Sequence, residues 1–396
     1  MVVDAVGRYR LQRKLANGNM GEVFLAEYEG DASFRKRVVV KRLYRHLQHH
    51  PEAVRMFQDE AHLLSALSHP NIPQVYDLGC AEGYWFLVIE HVPGHTLSEL
   101  CAAATRVGVA MPVDAIVSVL EQLCDALHHA HERNDDHGRP LRIVHRDVTP
   151  HNVMITPDGF AKLLDFGVAR TAKDESKGGS LKGTLAYMAP EQVRGQRLDK
   201  RSDVFSAGVI LYELTTGRRL FSGSEIDVMT AIVERDVTPP SVWVPSFPAD
   251  LERILLTALA RDRVRRFPSA QHLARALEEL AVSLNVIATH QALARFYGQV
   301  FSEYERRERT TGTYGPQEVR KSSGVAESAR LRSSHPQPPS AASQVQQRAE
   351  PMRDLHSLRD ELPMDEFVSD APGALRLPDA DDFGEPQPVV LTRPKR

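Results

Sequence analysis

The sequence of 396 residues predicts an α+β protein in which strands come first, helices follow and a low-complexity tail closes the chain. Three observations carry this reading. Apolar runs before about residue 90 are short and β-branched or aromatic, as in Val38-Val39-Val40 and Tyr84-Trp85-Phe86-Leu87-Val88-Ile89. From Val113 to Arg133 the apolar positions Ile116, Val117, Leu120, Leu123 and Leu127 recur at helical spacing. Beyond about Glu308 the chain is rich in Arg, Ser, Pro and Gln and poor in aromatics, so it cannot bury enough surface to offset ordering entropy.

Composition narrows the class. With 42% hydrophobic and 26% charged residues, most of the chain should fold around a large core. A formal net charge of −3 gives no bias toward nucleic acid or an anionic membrane. Cys80, Cys101 and Cys124 show no metal-ligand spacing and read as buried apolar residues of a reducing compartment. Met1 to Gly7 lacks the pattern of a signal peptide, and no stretch approaches the ~18 apolar residues of a membrane span. The expectation is a cytoplasmic protein with no membrane span and no nucleic-acid partner.

Chemistry concentrates in Ile143-Val144-His145-Arg146-Asp147-Val148-Thr149-Pro150-His151-Asn152 and in Asp165-Phe166-Gly167. Val153-Met154-Ile155 and Ala161-Lys162-Leu163-Leu164 read as two short strands joined by the turn Thr156-Pro157-Asp158-Gly159. Such a hairpin brings Asn152 and Asp165 to one end of a small sheet, beside Asp147. Three oxygen-bearing side chains there could hold a hard cation such as Mg2+. Taken singly, each aspartate reads equally as a turn cap.

His-Arg-Asp-x-x-x-x-Asn followed by Asp-Phe-Gly resembles the catalytic and metal-binding loops of eukaryotic-type protein kinases, and more narrowly of bacterial (Hanks-type) Ser/Thr kinases. The resemblance implies the two-lobed kinase fold: a small antiparallel-sheet N-lobe with one helix over about 9–90, and a large helical C-lobe over about 94–283. It implies that Asp147 accepts the proton of a protein Ser or Thr hydroxyl, that Asn152 and Asp165 carry Mg2+, and that ATP is the donor. The alternative is a pseudokinase, an ATP-binding scaffold that recruits partners through its tail.

In chain order, Tyr9-Arg10-Leu11 opens a strand leading into Leu15-Ala16-Asn17-Gly18-Asn19-Met20-Gly21-Glu22-Val23. Gly18, Gly21 and Val23 match the kinase glycine-rich loop, where missing Cβ atoms let backbone amides approach phosphates. Ala16 stands at the first glycine position; glycines alone would equally mark a hairpin. Val38-Val39-Val40-Lys41 is a strand ending in the lysine that, by resemblance, meets the α- and β-phosphates. A helix from about Pro51 to Leu67 carries Glu60, the implied partner of Lys41. By the same resemblance Leu64 stacks with Phe166 and His145. The Tyr84 to Gly94 segment resembles the hinge: Glu90 and Val92 would bond adenine through backbone groups, Ile89 would guard the back pocket, and Val23, Val39 and Met154 would sandwich the base.

Asn134 to Leu141 is a polar loop with no assigned function. Ala169 to Lys182 resembles an activation segment closed by Gly183 to Glu191; Ser176, Ser180 and Thr171 are candidate autophosphorylation sites, with Arg146 able to pair a phosphate. Asp203 matches the residue that anchors the catalytic loop, and Arg266 the arginine that pairs with Glu191. Pro150 and the Gly183-Thr184 pair follow the Ser/Thr rather than the tyrosine pattern. The departure is Thr149, where Ser/Thr kinases usually place a lysine; His151 and Lys182 are candidate replacements for its charge. A further amphipathic helix is expected at Thr289 to Arg306, within an accessory segment 284–307. The remaining 308–396 reads as a disordered tail that could dock partners, with a short helical face possible at Met352 to Met364.

Overall fold

The structure, a computed structural model, describes residues 5–18, 20–166 and 184–311. The first lobe is one antiparallel sheet of β1 (Ala5–Val6), β2 (Tyr9–Asn17), β3 (Gly21–Glu29), β4 (Arg35–Leu43), β5 (Val75–Ala81) and β6 (Tyr84–Glu90), in the order β1-β2-β3-β4-β6-β5. Strand periodicity sorts its faces. Val38 and Val40 join Tyr9, Leu11, Ala26, Phe86 and Val88 in a buried cluster. Val39 and Lys41 alternate with them and so face the other way.

Helix α1 (Pro51–Ser65) begins with Pro at its first turn and buries Phe57, Glu60, Ala61 and Leu64, a stripe at helical spacing. Glu60 is the one ionisable residue in that stripe, which demands a partner.

The second lobe opens with β7 (His95–Thr96) and α2 (Leu97–Val107), whose capping box pairs Thr96 with Glu99 and whose end is a left-handed Gly108. Helix α3 (Val113–His131) is buried along most of its length. The hairpin of β8 (Val153–Ile155) and β9 (Ala161–Leu163) completes a three-stranded sheet with β7. There follow α4 (Pro190–Val193), α5 (Arg201–Thr216), α6 (Glu225–Glu234), α7 (Ala249–Ala258) and α8 (Ala270–Ser283). Helix α5 buries nearly every residue and forms the centre of this lobe.

A final helix, α9 (His290–Thr311), runs five residues past the expected end of the accessory helix. It packs on α2 and α3. His95 Nδ1 lies 2.6 Å from the Tyr297 hydroxyl, and its ring stacks on Phe301 at 4.1 Å. Arg307 donates to the carbonyls of Arg106 and Val107 at 3.0 and 2.9 Å, satisfying orphan groups at the α2 C-terminus. Gly159 permits the approach: with φ +80°, any Cβ there would lie 1.8 Å from the His290 carbonyl oxygen. The expected tail and the Met352 to Met364 helix lie outside the described residues, apart from the end of α9. No described helix is long and apolar enough to cross a membrane.

Candidate active site

Lys41 Nζ donates to Glu60 at 2.6 Å, with both side chains largely withdrawn from solvent. Burial works against the ammonium charge, but the carboxylates of Glu60 and Asp165 outweigh it and raise the Lys41 pKa. Lys41 therefore sits in the field of both Glu60 and Asp165, the grouping that the kinase resemblance implies.

The hairpin does what its turn chemistry predicts. The Leu164 amide donates to the Asn152 carbonyl at 2.7 Å, which ties the strand entering Asp165 to the loop 145–152. Asn152 Nδ2 donates to the Asp147 carbonyl and to its Oδ2 at 2.8 and 3.0 Å. That fixes the amide with its own carbonyl oxygen turned away from these bonds. Asp165 and Arg146 hold positive φ values of +48° and +68°, a strained backbone that clusters at functional sites.

Asp203 anchors the loop beneath. Its carboxylate accepts from the amides of His145 and Arg146 at 2.8 and 2.9 Å and from His131 Nε2 at 2.7 Å. Burial opposes its charge, yet these donors keep its pKa below the usual carboxylate value. His145, fully buried, donates Nε2–H to the Leu164 carbonyl at 2.9 Å, and its ring meets Phe166 at 4.6 Å. Burial lowers the His145 pKa and keeps the imidazole neutral. Phe166 is buried in the same core cluster as Leu64.

On the opposite wall, register places Ala16 across from Val23, Val23 across from Lys41, and Val39 across from Ile89. These residues share the sheet face that carries Lys41. Leu15 is 41% exposed at the edge of that face. Gly18 donates its amide to the Gly21 carbonyl at 2.8 Å. Gly21 is required for a reason the sequence did not reveal: a Cβ would lie 2.2 Å from the Arg42 carbonyl oxygen, next to Lys41. Asn19 lies outside the described residues. In the connector, the Glu90 amide donates to Gln74 and its carboxylate takes Lys162 Nζ at 2.9 Å. Val92 is buried, and among the described residues its amide reaches no protein acceptor. Met154, in β8 of the second lobe, stands opposite Thr96 of β7.

The donor set suits a nucleotide and a hard cation. An orphan amide at Val92 and a lysine held between carboxylates on the face that carries Val23 and Val39 are what a nucleoside triphosphate needs. Among the described residues no group of three His, Cys, Asp or Glu could hold a metal ion, so Asn152 and Asp165 would supply only part of a shell. Mg2+ prefers such a site, completed by phosphate oxygens and water.

Thr149 is buried, and its carbonyl accepts from the Asn152 amide at 3.0 Å. His151, the candidate replacement for the missing lysine charge, follows in the short turn Pro150–Asn152. Desolvation of its ring, together with nearby Arg219, lowers its pKa, and Nε2 lies 3.4 Å from Ser98 Oγ. Lys182, Ser176, Ser180, Thr171 and Gly183 lie outside the described residues. The loop after α3 is a self-contained turn in which Asp135 accepts from the amides of His137 and Arg139.

Several contributors carry no sequence signal of their own. Gln192 Nε2 donates to the Arg146 carbonyl at 2.8 Å, and His131 holds Asp203. Ser202 Oγ donates to Glu191 at 2.7 Å. A single polar residue in a helix is unremarkable until the tertiary fold supplies its partner.

The sequence matches the protein kinase domain family over residues 9–277. It is 41% identical over 280 residues to "Tyrosine-protein kinase MasK" of Myxococcus xanthus, covering 70% of this chain and 43% of that protein. It is 36% identical over 269 residues to "Serine/threonine-protein kinase PrkC" of Bacillus subtilis, covering 67% and 39%. The chain thus spans about two fifths of the length of these relatives. The solved kinase domain of Mycobacterium tuberculosis PknI is similar at a TM-score of 0.54 and 26% identity, over 71% of this chain and 99% of that one. With the lysine–glutamate pair, the anchored His-Arg-Asp loop and the Asp-Phe hairpin in place, the chain belongs to the protein kinase domain family.

Proposed function

We propose that this protein is an ATP- and Mg2+-dependent serine/threonine protein kinase. The observation that carries this reading is the 2.6 Å Lys41–Glu60 pair in the field of Asp165, with Asn152 clasped to Asp147. Lys41 would neutralise the α- and β-phosphates, and Glu60 would hold it in place. Asp147 would orient the acceptor hydroxyl and take its proton as the new O–P bond forms and the bond to the leaving ADP oxygen breaks. Asn152 and Asp165 would hold Mg2+, which supplies charge neutralisation across the phosphates. Catalysis of this kind rests on positioning and electrostatics rather than covalent chemistry.

Ser/Thr acceptors are favoured by Pro150 and Thr184, although one relative is named a tyrosine kinase and another a Ser/Thr kinase. The activation segment is the first candidate acceptor, in autophosphorylation, and the 308–396 tail a candidate docking arm in the cytoplasm. Thr149 in the place of the usual lysine, with Ala16 in the place of the first loop glycine, is the observation that favours the pseudokinase reading. Incubation with γ-labelled ATP and Mg2+, followed by phosphoamino-acid analysis, separates the cases. Label on serine or threonine is expected. Label on tyrosine alone overturns the acceptor class, and no label with any divalent metal supports the scaffold.

A further inference from the structure

Away from the phosphate-transfer residues, the segment joining α5 to α6, the end of α6 and Trp243 enclose a cavity of about 260 Å³. Three guanidiniums line it: Arg218, Arg219 and Arg235. Its walls are built rather than incidental. Trp243 Nε1 donates to the Tyr212 hydroxyl at 3.0 Å, and the Arg218 guanidinium lies over the indole at 4.7 Å. Arg219 donates to the Tyr187 hydroxyl at 2.5 Å and pairs with Glu213 at 3.3 Å.

The charge in the cavity is unbalanced. Among the described residues neither Arg218 nor Arg235 forms a salt bridge. Asp236, the one acid in the lining, reaches Arg261 at 3.1 Å and is fully exposed. Arg219 balances Glu213 and Arg235 lies in the field of Asp227, which leaves Arg218 as the lining cation without an acid, on a chain of formal charge −3. The volume is below that of pockets for drug-sized ligands, ~300 Å³ or more. It suits one anionic side-chain head, and the guanidinium fork matches the planar geometry of carboxylate and phosphate oxygens.

Position gives the cavity a use. Tyr187, held by Arg219, donates its amide to the carbonyl of Thr184 at 3.1 Å, and Thr184 is the residue on which the Ser/Thr acceptor reading rests. We infer that this cavity is an anion subsite for protein substrates, taking a phosphorylated or carboxylate side chain that flanks the accepting hydroxyl. The inference rests on the proposed kinase activity and adds a substrate class to it: acidic or already phosphorylated segments.

The test uses the full chain with Trp85→Phe, leaving Trp243 as the only indole of the two in the sequence. Three serine peptides are titrated, identical except for one residue that is Ala, Glu or phosphoserine, scanned on both sides of the acceptor. Inorganic phosphate is titrated alongside. Quenching or enhancement of Trp243 emission is expected at about tenfold or lower concentration for phosphoserine than for Ala, with Glu between. Arg218→Ala with Arg235→Ala should equalise the three peptides, and the double Lys variant should restore the preference in part. Equal affinities for all three peptides, or a preference that survives the double Ala variant, overturns the subsite. If free phosphate alone reproduces the signal and no flanking position helps, the cavity binds the ion but not substrate, which also overturns it. Binding is read without transfer, so a protein that binds acidic peptides yet moves no phosphate would sink the kinase reading instead.

Discussion

Arg266 closes on Glu191 through two parallel hydrogen bonds of 2.7 and 2.8 Å, with both side chains buried. Burial disfavours the Glu191 carboxylate, but Arg266 and Ser202 outweigh it and hold its pKa below the usual value. Removing one partner strands the other charge in the core. Arg266→Ala should therefore cost about 3–5 kcal/mol of stability by urea denaturation. Replacing both residues with apolar side chains of similar size should cost clearly less than Arg266→Ala alone. Additive losses would show that the pair is not coupled.

Thr149 stands two residues after Asp147, where the kinase resemblance expects a lysine, and burial and Arg219 lower the pKa of nearby His151. Single electrostatic stabilisers in dry sites contribute ~10²–10³ in rate. Thr149→Lys should raise kcat by about tenfold or more with little change in KM for ATP. Steady-state kinetics check this; an unchanged kcat would mean that another cation already does the task.

Acid should destabilise this protein earlier than its carboxylates would. Burial, the largest cause in each case, lowers the pKa of His69, His91, His95 and His145 in the fold. In the unfolded chain a histidine titrates near ~6.5. Below that value the unfolded state binds more protons than the native one, so stability falls as pH falls. The urea midpoint should be level from pH 8 to 7 and decline from about 6.5 downward. A midpoint that rises on acidification would contradict the neutral, buried imidazoles.

Phe301 and Tyr297 clamp α9 onto His95, just beyond the connector that carries Glu90 and Val92. Phe301→Ala leaves a cavity at that seam and should cost about 3–5 kcal/mol. Tyr297→Phe removes one hydrogen bond and should cost about 1 kcal/mol. Denaturation curves of both variants check the order; equal and negligible losses would show that α9 is a dispensable appendage.

Much of the site was legible because its chemistry lies in two short stretches that one hairpin brings together. Asp147, Asn152 and Asp165 needed only the turn at Thr156 to Gly159 to converge. Lys41 and Glu60 were paired by resemblance, since nothing local in a strand lysine and a helix glutamate announces 2.6 Å contact. Gly21 was read as a phosphate glycine, while its backbone approach to Arg42 depends on strand pairing invisible in one chain segment. The extent of α9 was underestimated because the residues after the expected end, Arg307 to Thr311, are all polar and carry no apolar stripe. Arg307 is used on α2 instead, where it caps exposed carbonyls.

The most direct measurement compares Asp147→Asn with the unaltered protein in two assays, ATP·Mg2+ binding by titration calorimetry and transfer of labelled phosphate. The carboxylate is expected to matter only once the hydroxyl is reacting. Nucleotide affinity should stay within about twofold, while the transfer rate falls by at least ~10², the lower end of a general base's contribution. A variant that transfers phosphate as fast as the unaltered protein, or a protein that takes up no nucleotide at all, would contradict the assignment of this site.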